Sequence, residues 1–185
     1  MRKVVVSQFV TLDGVMEDPG GAENPDLGGW AFKFDRGEDG DKFKLDEVMA
    51  ADALLLGRVT YEGFAAAWPD RTDEAGFADK FNSMPKYVVS TTLAEPSWNN
   101  SHVIAAADVA GLEGEILVNG SNTLIQALME HDVVDEYRLM VFPIVLGRGK
   151  RLFADGRPQT TLKLTDSRPV GPDGVIVLTY VPARD

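Results

Sequence analysis

The sequence contains no cysteine, and histidine is nearly absent, with 2 residues among 185. Without cysteine there is no disulfide framework, no thiolate metal site and no cysteine nucleophile. A reducing compartment is therefore permitted, and we expect a cytoplasmic protein. His102 and His131 are too far apart in sequence to form a local metal clip, so we expect both to be surface residues and expect no bound metal.

Positive charge is also scarce, because 18 Lys and Arg residues stand against 29 Asp and Glu residues and the formal net charge is −11. Proteins that bind nucleic acids or anionic membranes draw on an excess of Lys and Arg, so we expect neither partner. A phosphorylated ligand would need a local basic pocket. The candidate cations for such a pocket are Arg58, Arg71, Lys86, Arg148, Lys150 and Arg151.

The start of the chain has no long apolar run, because polar residues such as Lys3, Gln8 and Glu17 interrupt it. This pattern excludes the apolar core of a signal peptide and a membrane span there. Hydrophobic residues make up 44% of the sequence and charged residues 25%, as in an average globular domain. We predict a single domain over residues 1–185 with one hydrophobic core.

Short β-branched runs alternate with helical apolar stripes along most of the chain. The predicted strands are Lys3–Val10, Ala53–Leu56, Lys86–Ser90, Glu115–Val118, Asp135–Phe142, Thr161–Asp166 and Val175–Val181, with His102–Ala105 as a further short candidate. The predicted helices are Asp41–Ala51, Val59–Trp68, a helix that carries Phe77, Phe81 and Met84, and a helix that carries Leu124, Ile125, Leu128 and Met129. This order indicates an α/β fold with a mostly parallel sheet flanked by helices. A Pro/Gly-rich turn joins the last two strands, which predicts an antiparallel C-terminal edge.

The segment from Glu17 to Gly40 is rich in glycine and proline and predicts a long loop. Structureless loops of this length are usually lids or disordered segments, and its three aromatic residues favour a lid. Trp30 either caps a substrate pocket as part of that lid or anchors the loop by its own burial.

Small and hydroxyl residues follow three of the predicted strands, at the point where each strand ends. They are Gly57, Arg58 and Thr60, then Ser90 and Thr91, then Asn119, Gly120, Ser121, Asn122 and Thr123. In open α/β sheets ligands bind beyond the carboxyl ends of the strands, where helix N-termini offer N–H groups to phosphates. Gly120 would let the backbone approach a pyrophosphate, and Arg58 could pair with a phosphate on a ribose. The alternative is ordinary turn chemistry, and the GxGxxG and GxxxxGK[ST] motifs are absent.

Six segments in this order resemble the dihydrofolate-reductase-like superfamily, and in particular its riboflavin-biosynthesis reductase C-terminal-domain branch. They are Thr-Leu-Asp-Gly at 11–14, Leu-Gly-Arg-Val-Thr-Tyr-Glu at 56–62, Val-Ser-Thr-Thr at 89–92, Asn-Gly-Ser at 119–121, Val-Asp-Glu-Tyr-Arg at 134–138 and Pro-Ile-Val-Leu-Gly-Arg-Gly at 143–149. The resemblance runs nearly from end to end. The zinc signature of the deaminase that accompanies this reductase in the bifunctional enzyme is absent.

The resemblance implies NADPH as cofactor, lying across the carboxyl edge of the sheet. It places the 2′-phosphate near Arg58 and Thr60, the adenosine beside Ser90 and Thr91, and the pyrophosphate against residues 120–123. Many relatives have a Gly-Gly pair where this chain has Asn119 and Gly120, so close backbone approach at Asn119 is an open question.

The expected reaction is reduction of a C=N, C=O or C=C bond by hydride from NADPH. The resemblance suggests a pterin-like or ribosylamino-pyrimidine-like substrate, or another small molecule. A carboxylic acid in a water-poor pocket could supply the proton. Asp41 is the first candidate because true dihydrofolate reductases have a carboxylate near that position, although Asp46 and Glu47 share its helix; Asp13 is the second. Ser7 and Gln8 are candidates for lining the substrate pocket.

Two other classes compete with the reductase hypothesis. A non-catalytic module could keep the cofactor cleft without the chemistry, because fold alone does not guarantee function. A structural protein without a ligand would leave the three strand ends unexplained. The resemblance and the apolar C-terminal strand Val175–Val181 also predict a homodimer, unless that strand only completes the core of the monomer.

Overall fold

The computed structural model describes residues 1–183 and divides into two compact units. The first unit contains Met1–Val6 and Phe43–Val134, and the second contains Ser7–Lys42 and the chain from Asp135 onward. Strand β1 (Lys3–Thr11) and helix α1 (Gly37–Ala50) each contribute residues to both units. The single domain expected from the sequence stays a prediction.

The first unit is built on parallel strands. They are β2 (Ala53–Gly57), β3 (Lys86–Val89), β4 (Ser101–Ile104) and β5 (Glu115–Val118), which pair with one another and with β1 in the order β4-β3-β2-β5-β1. Helices α2 (Arg58–Ala67), α3 (Phe77–Ser83) and α4 (Asn122–Glu130) and a 3-10 helix at Ala106–Gly111 connect them. Crossover helices of this kind cover the faces of a parallel sheet.

The core of this unit explains why its strands are continuous apolar runs. Leu54, Leu55 and Leu56 have no exposed surface, and neither do Ile116, Leu117 and Val118 beside them. Strands that are buried on both faces need apolar residues at every position rather than at alternate ones. The register pairs Leu55 with Val118 and Gly57 with Val89, so the carboxyl ends of β2, β3 and β5 meet at one edge.

The second unit contains antiparallel strands. Strands β6 (Glu136–Phe142), β7 (Leu162–Val170) and β8 (Val175–Pro182) pair in the order β6-β8-β7. Phe142 is fully buried, and the rings of Phe9, Trp30 and Phe34 lie around it at centroid distances of 5.3, 5.5 and 6.0 Å. The full strand order is β4-β3-β2-β5-β1-β6-β8-β7, which confirms the predicted α/β fold with a mostly parallel sheet and an antiparallel C-terminal edge.

Two predicted boundaries differ by four residues from the structure. Helix α1 begins at Gly37 rather than Asp41, because the polar residues of its first turn gave no apolar signal. Strand β7 continues past Asp166 to Val170 and includes Pro169. Proline is tolerated there because β7 is an edge strand and needs no N–H donor on its open side. Within residues 1–183 no helix combines the length and apolarity that a membrane span requires.

Candidate functional site

The candidate site lies in the first unit, where the chain leaves β2 and β5. Helix α2 follows β2 directly, with Gly57 as its N-cap residue, and helix α4 begins after Asn119, Gly120 and Ser121. Because the two strands are parallel neighbours, both helices begin at the same edge of the sheet. The sequence prediction that these segments come together is therefore realised in the geometry.

Two glycines allow these turns to touch. The Gly57 N–H donates to the Gly120 carbonyl at 3.3 Å. A Cβ added at Gly57 would lie 2.2 Å from Ser121 Oγ, closer than real side chains approach. Gly120 has a φ of +101°, and a Cβ there would lie 3.0 Å from Thr60 Oγ1. A side chain at either position would therefore push the two turns apart, and at Gly120 it would also strain the backbone.

The two helix N-termini have different caps. Ser121 Oγ accepts a hydrogen bond from the Leu124 N–H at 3.3 Å, so one of the first N–H groups of α4 is satisfied by a side chain. Gly57 has no side chain and gives α2 no such cap. The first N–H groups of a helix need partners and carry partial positive charge. Two helix N-termini at one edge thus favour an anion in front of them.

A cleft of about 680 Å³ opens beside these turns. Its lining residues are Gly57, Arg58, Val59, Val89, Ser90, Thr91, Thr92, Val103, Ile104, Ala105, Ala106, Asp108, Ser121, Thr123, Leu124 and Ala127. Of the predicted cofactor residues, Gly57, Arg58, Ser90, Thr91, Ser121 and Thr123 belong to this lining. The volume is in the range that small-molecule and cofactor sites occupy.

Four predicted cofactor residues lie outside the lining of the cleft. Thr60 and Gly120 pack against each other, since a Cβ at Gly120 would lie 3.0 Å from Thr60 Oγ1, and neither residue lines the cleft. Asn119 and Asn122 flank Gly120 and Ser121 in sequence and do not line the cleft either. These residues shape the turn, whereas the lining residues present surface to a ligand.

Among residues 1–183, Arg58 is the single cation of the cleft lining. Its Nη1 donates to both carboxylate oxygens of Glu62 at 3.0 Å, one helical turn along α2. The side chains are 43% and 49% exposed, so solvent screens this pair. Within residues 1–183 its Nε and Nη2 have no acceptor, and that edge of the guanidinium is the one that binds a phosphate in a bidentate manner.

The other candidate cations do not line the cleft. Arg71 lies over the Trp68 ring at 5.0 Å, and Arg148 donates to the Asp26 carbonyl at 3.3 Å. Arg151 donates to the Asp13 carbonyl at 3.1 Å. The basic residues of the sequence are thus mostly engaged in local structure, and Arg58 is the cation that the fold offers to a ligand in this cleft.

Lys86 is fully buried and serves the core of the first unit. Its Nζ donates to the carbonyls of Phe81, Asn82 and Met84 at 2.6, 3.2 and 2.8 Å, and it lies 4.4 Å from the centre of the Trp98 ring. Burial lowers the pKa of Lys86 to about 8. The three carbonyls and the ring favour the charged form, so this lysine closes the C-terminal end of α3.

Asp41 lies on the surface, and the burial expected for it is wrong. Its side chain is 66% exposed, and the Arg36 Nε donates to its carboxylate at 2.6 Å. The helix begins four residues earlier than predicted, so Asp41 is its fifth residue rather than its first. A general acid needs its proton stabilised by a water-poor pocket, and this carboxylate has a cationic partner instead.

Asp13 has a structural environment. The pKa of Asp13 is lowered to about 2, chiefly because the hydroxyl of Thr11 donates to it at 2.6 Å. Burial opposes this effect, and the N–H groups of Gly147 and Leu146 add to it. A carboxyl group with so low a pKa carries no proton near neutral pH, so it is a poor general acid. Its hydrogen bonds instead hold the turn at residues 146–147.

The predicted lid is an anchored loop rather than a structureless one. The Asp18 carboxylate accepts hydrogen bonds from the N–H groups of Ala22, Glu23 and Asn24 at 2.7–3.0 Å. Trp30 has no exposed surface, and its Nε1 donates to the Glu17 carbonyl at 2.9 Å. Trp30 therefore anchors the loop and does not cap a pocket in this structure.

The proposed substrate-lining residues of β1 are largely enclosed. Ser7 and Gln8 are 4% and 8% exposed, and they stay predictions as substrate contacts. Sequence reasoning overlooked two polar residues near the cleft. Asp108 lines it and Glu62 holds Arg58. Glu62 had a signal, since it lies four residues after Arg58 on a predicted helix, whereas Asp108 follows an alanine run without a motif.

Comparisons with known proteins agree with this geometry. The family described as the RibD C-terminal domain matches residues 2–176. The Bacillus subtilis protein YwjB is 30% identical over 191 residues, which cover 98% of this chain and 99% of YwjB.

Solved structures show the same fold at low sequence identity. A Shewanella sp. PV-4 protein assigned to riboflavin biosynthesis has a TM-score of 0.75 at 22% identity, with 98% of this chain and 99% of that chain covered. Dihydrofolate reductase from Enterococcus faecalis, in complex with NADP(H) and RAB-propyl, has a TM-score of 0.61 at 13% identity, with 98% of this chain and 97% of that chain covered. These structural likenesses establish a dihydrofolate-reductase-like fold, and the family match over most of the sequence shows that the chain belongs to the RibD C-terminal domain family.

Proposed function

We propose that this protein is an NADPH-dependent reductase and that the cleft beside Gly57 and Ser121 binds the adenosine and phosphate portion of the cofactor. The observation that carries the proposal is the combination of Arg58 with two helix N-termini at one cleft. Together they supply positive charge in a chain whose net charge is −11. The complex of Enterococcus faecalis dihydrofolate reductase with NADP(H) supports the same assignment by analogy of fold.

The residues present fit this cofactor part by part. The free Nε and Nη2 edge of Arg58 suits the 2′-phosphate. The glycines at 57 and 120 let the two turns pack together, and the N-termini of α2 and α4 beside the cleft suit a pyrophosphate. Ser90 Oγ accepts from the N–H groups of Thr92 and Leu93 at 3.1 and 3.0 Å and so shapes the turn after β3. In this proposal that turn lies beside the adenosine.

NADPH supplies the hydride when it is bound, and the protein orients the reacting groups and excludes water. The substrate class is a pterin-like or ribosylamino-pyrimidine-like heterocycle, or another small molecule with a C=N or C=O bond. In this proposal water delivers the proton, because Asp41 is paired with Arg36 on the surface and Asp13 stays ionised. Asp41→Asn should then leave the pH–rate profile unchanged, and a shifted profile would return the role to Asp41.

The second candidate is a non-catalytic module that binds NADPH. It is favoured by the surroundings of the two candidate acids, because Asp41 lies on the surface beside Arg36 and the pKa of Asp13 is lowered to about 2. The two candidates separate when purified protein is incubated with NADPH and a panel of pterins, ribosylamino-pyrimidines and small carbonyl compounds. Loss of nicotinamide absorbance with any of them supports the reductase, and binding without turnover across the panel supports the module.

The proposal also includes a cytoplasmic homodimer formed through the second unit. Ile176 on β8 is 41% exposed and Leu164 on the edge strand β7 is 48% exposed. Exposed apolar side chains on a nine-residue edge strand and its neighbour are a surface that a second copy of the chain can cover.

A further inference from the structure

Of the residues that the structure describes, one carboxylate lines the cleft, Asp108, and the proposed phosphate contacts do not explain it. The geometry points to Asp108 as the residue that recognises the exocyclic amine of adenine and so selects an adenine dinucleotide. This inference rests on the proposed binding of NADPH in the cleft and adds a base-specific contact to it.

Asp108 is an exposed residue near the start of the 3-10 helix Ala106–Gly111, and two hydrogen bonds tie it to Ala105. Its N–H donates to the Ala105 carbonyl at 3.1 Å, and its Oδ2 accepts from the Ala105 N–H at 3.0 Å. Val109 beside it is fully buried and fixes the turn to the core. Within residues 1–183 no donor reaches its Oδ1, so one carboxylate oxygen remains as an acceptor in the lining of the cleft.

A carboxylate in a cleft for a polyphosphate is unfavourable unless the ligand donates a hydrogen bond to it. Phosphate groups are acceptors, so the donor must come from the ribose or the base. The residues before Asp108 are small and aliphatic, namely Val103, Ile104, Ala105 and Ala106, and all four line the cleft. This apolar wall suits the flat face of a base, whereas Arg58 and the helix N-termini suit phosphates. We assign the amine of adenine to Asp108, rather than a ribose hydroxyl, because Asp108 directly continues this apolar wall in the sequence and would lie at the edge of a base packed against it.

The test compares binding of NADPH with that of its deamino analogue, in which hypoxanthine replaces adenine. The analogue presents a keto oxygen where adenine presents the amine, so it would place an acceptor against the carboxylate. A hydrogen bond to a charged group contributes about 1.5 kcal/mol or more, so we expect wild-type protein to bind NADPH at least about tenfold more tightly than the analogue. Equal affinities would overturn the inference, and this comparison requires no variant.

Asp108→Asn sharpens the test. The Ala105 N–H retains the side-chain oxygen of asparagine, so the amide nitrogen takes the position of Oδ1 and presents a donor to the ligand. The preference for NADPH should fall by about tenfold or more, or reverse in favour of the analogue. Asp70→Asn makes the same change of charge at an exposed residue outside the cleft and should keep the wild-type ratio.

The outcomes distinguish this inference from the proposed function. Normal NADPH binding with the same affinity ratio in wild-type protein and Asp108→Asn would contradict the role of Asp108 alone. Failure of wild-type protein to bind NADPH at all would contradict the proposed function and, with it, this inference.

Discussion

Replacing Arg58 by alanine removes the single cation that residues 1–183 contribute to the cleft lining. The substitution should weaken the binding of NADPH much more than the binding of NADH. The two cofactors differ only in the 2′-phosphate, so the difference in their affinities isolates the contact assigned to Arg58. Glu62 holds Nη1 at 3.0 Å and leaves the Nε and Nη2 edge available. Phosphate binding therefore does not require the ion pair to break.

The expected magnitude follows from the exposure of the arginine. A hydrogen bond with a charged partner contributes about 1.5–3 kcal/mol, and the lower half of that range applies because 43% of the Arg58 side chain is exposed. The dissociation constant for NADPH should then rise by about 10- to 50-fold. The dissociation constant for NADH should change by less than about threefold, because no contact with it is lost.

Isothermal titration calorimetry at fixed ionic strength measures both constants, and constant salt matters because the contact is screened. Arg71→Ala is the matched control, since it makes the same change of charge at a residue that lies over Trp68 and outside the cleft. Equal affinity of wild-type protein for NADPH and NADH, or equal losses in Arg58→Ala and Arg71→Ala, would refute the reasoning.

Three further predictions concern residues outside the cleft lining, namely Lys86, Asp13 and Ile176. Lys86→Met leaves three carbonyl groups without their donor. The free energy of unfolding, measured by urea denaturation, should therefore fall by about 2–4 kcal/mol. A loss below about 1 kcal/mol would show that the lysine is dispensable for stability. The folded pKa of Asp13 lies near 2, below its ordinary 3.8, so its stabilisation is present above pH 3.8 and is lost as the pH falls toward 2. The stability difference between wild-type protein and Asp13→Asn should shrink over that interval, and a difference independent of pH would contradict this. Ile176→Lys should convert a dimer into a species of the 20.1 kDa chain mass in light scattering, while Met49→Lys should not; a wild-type protein that is already monomeric would rule out the dimer.

The parallel part of the fold could be predicted because its strands have a simple physical signature. Ala53–Leu56 and Glu115–Val118 are short apolar runs buried on both faces, and the glycines that follow them mark the turns. The start of α1 could not be predicted by the same reasoning. Its first turn is polar, so the apolar periodicity that marks a helix begins only later in the sequence. The sequence therefore placed the helix start at Asp41 and did not indicate that this residue is exposed on the surface.

Part of the candidate site depended on information that a sequence pattern does not contain. The approach of Gly57 to Ser121 follows from strand pairing between β2 and β5, and the strand-end rule anticipated it. The state of a carboxyl group depends on partners that are distant in sequence. Asp13 is held by Leu146 and Gly147, more than a hundred residues away, and no local motif indicates that contact.

The location of bound NADPH tests the central claim most directly. Hydrogen exchange of the backbone amides, followed by mass spectrometry with and without NADPH, reports which segments the ligand protects. The account predicts protection at residues 57–60, 89–92 and 119–124, where the turns after β2, β3 and β5 form the cleft. Saturating NADPH that leaves these three segments unprotected, or that protects other segments instead, would contradict it.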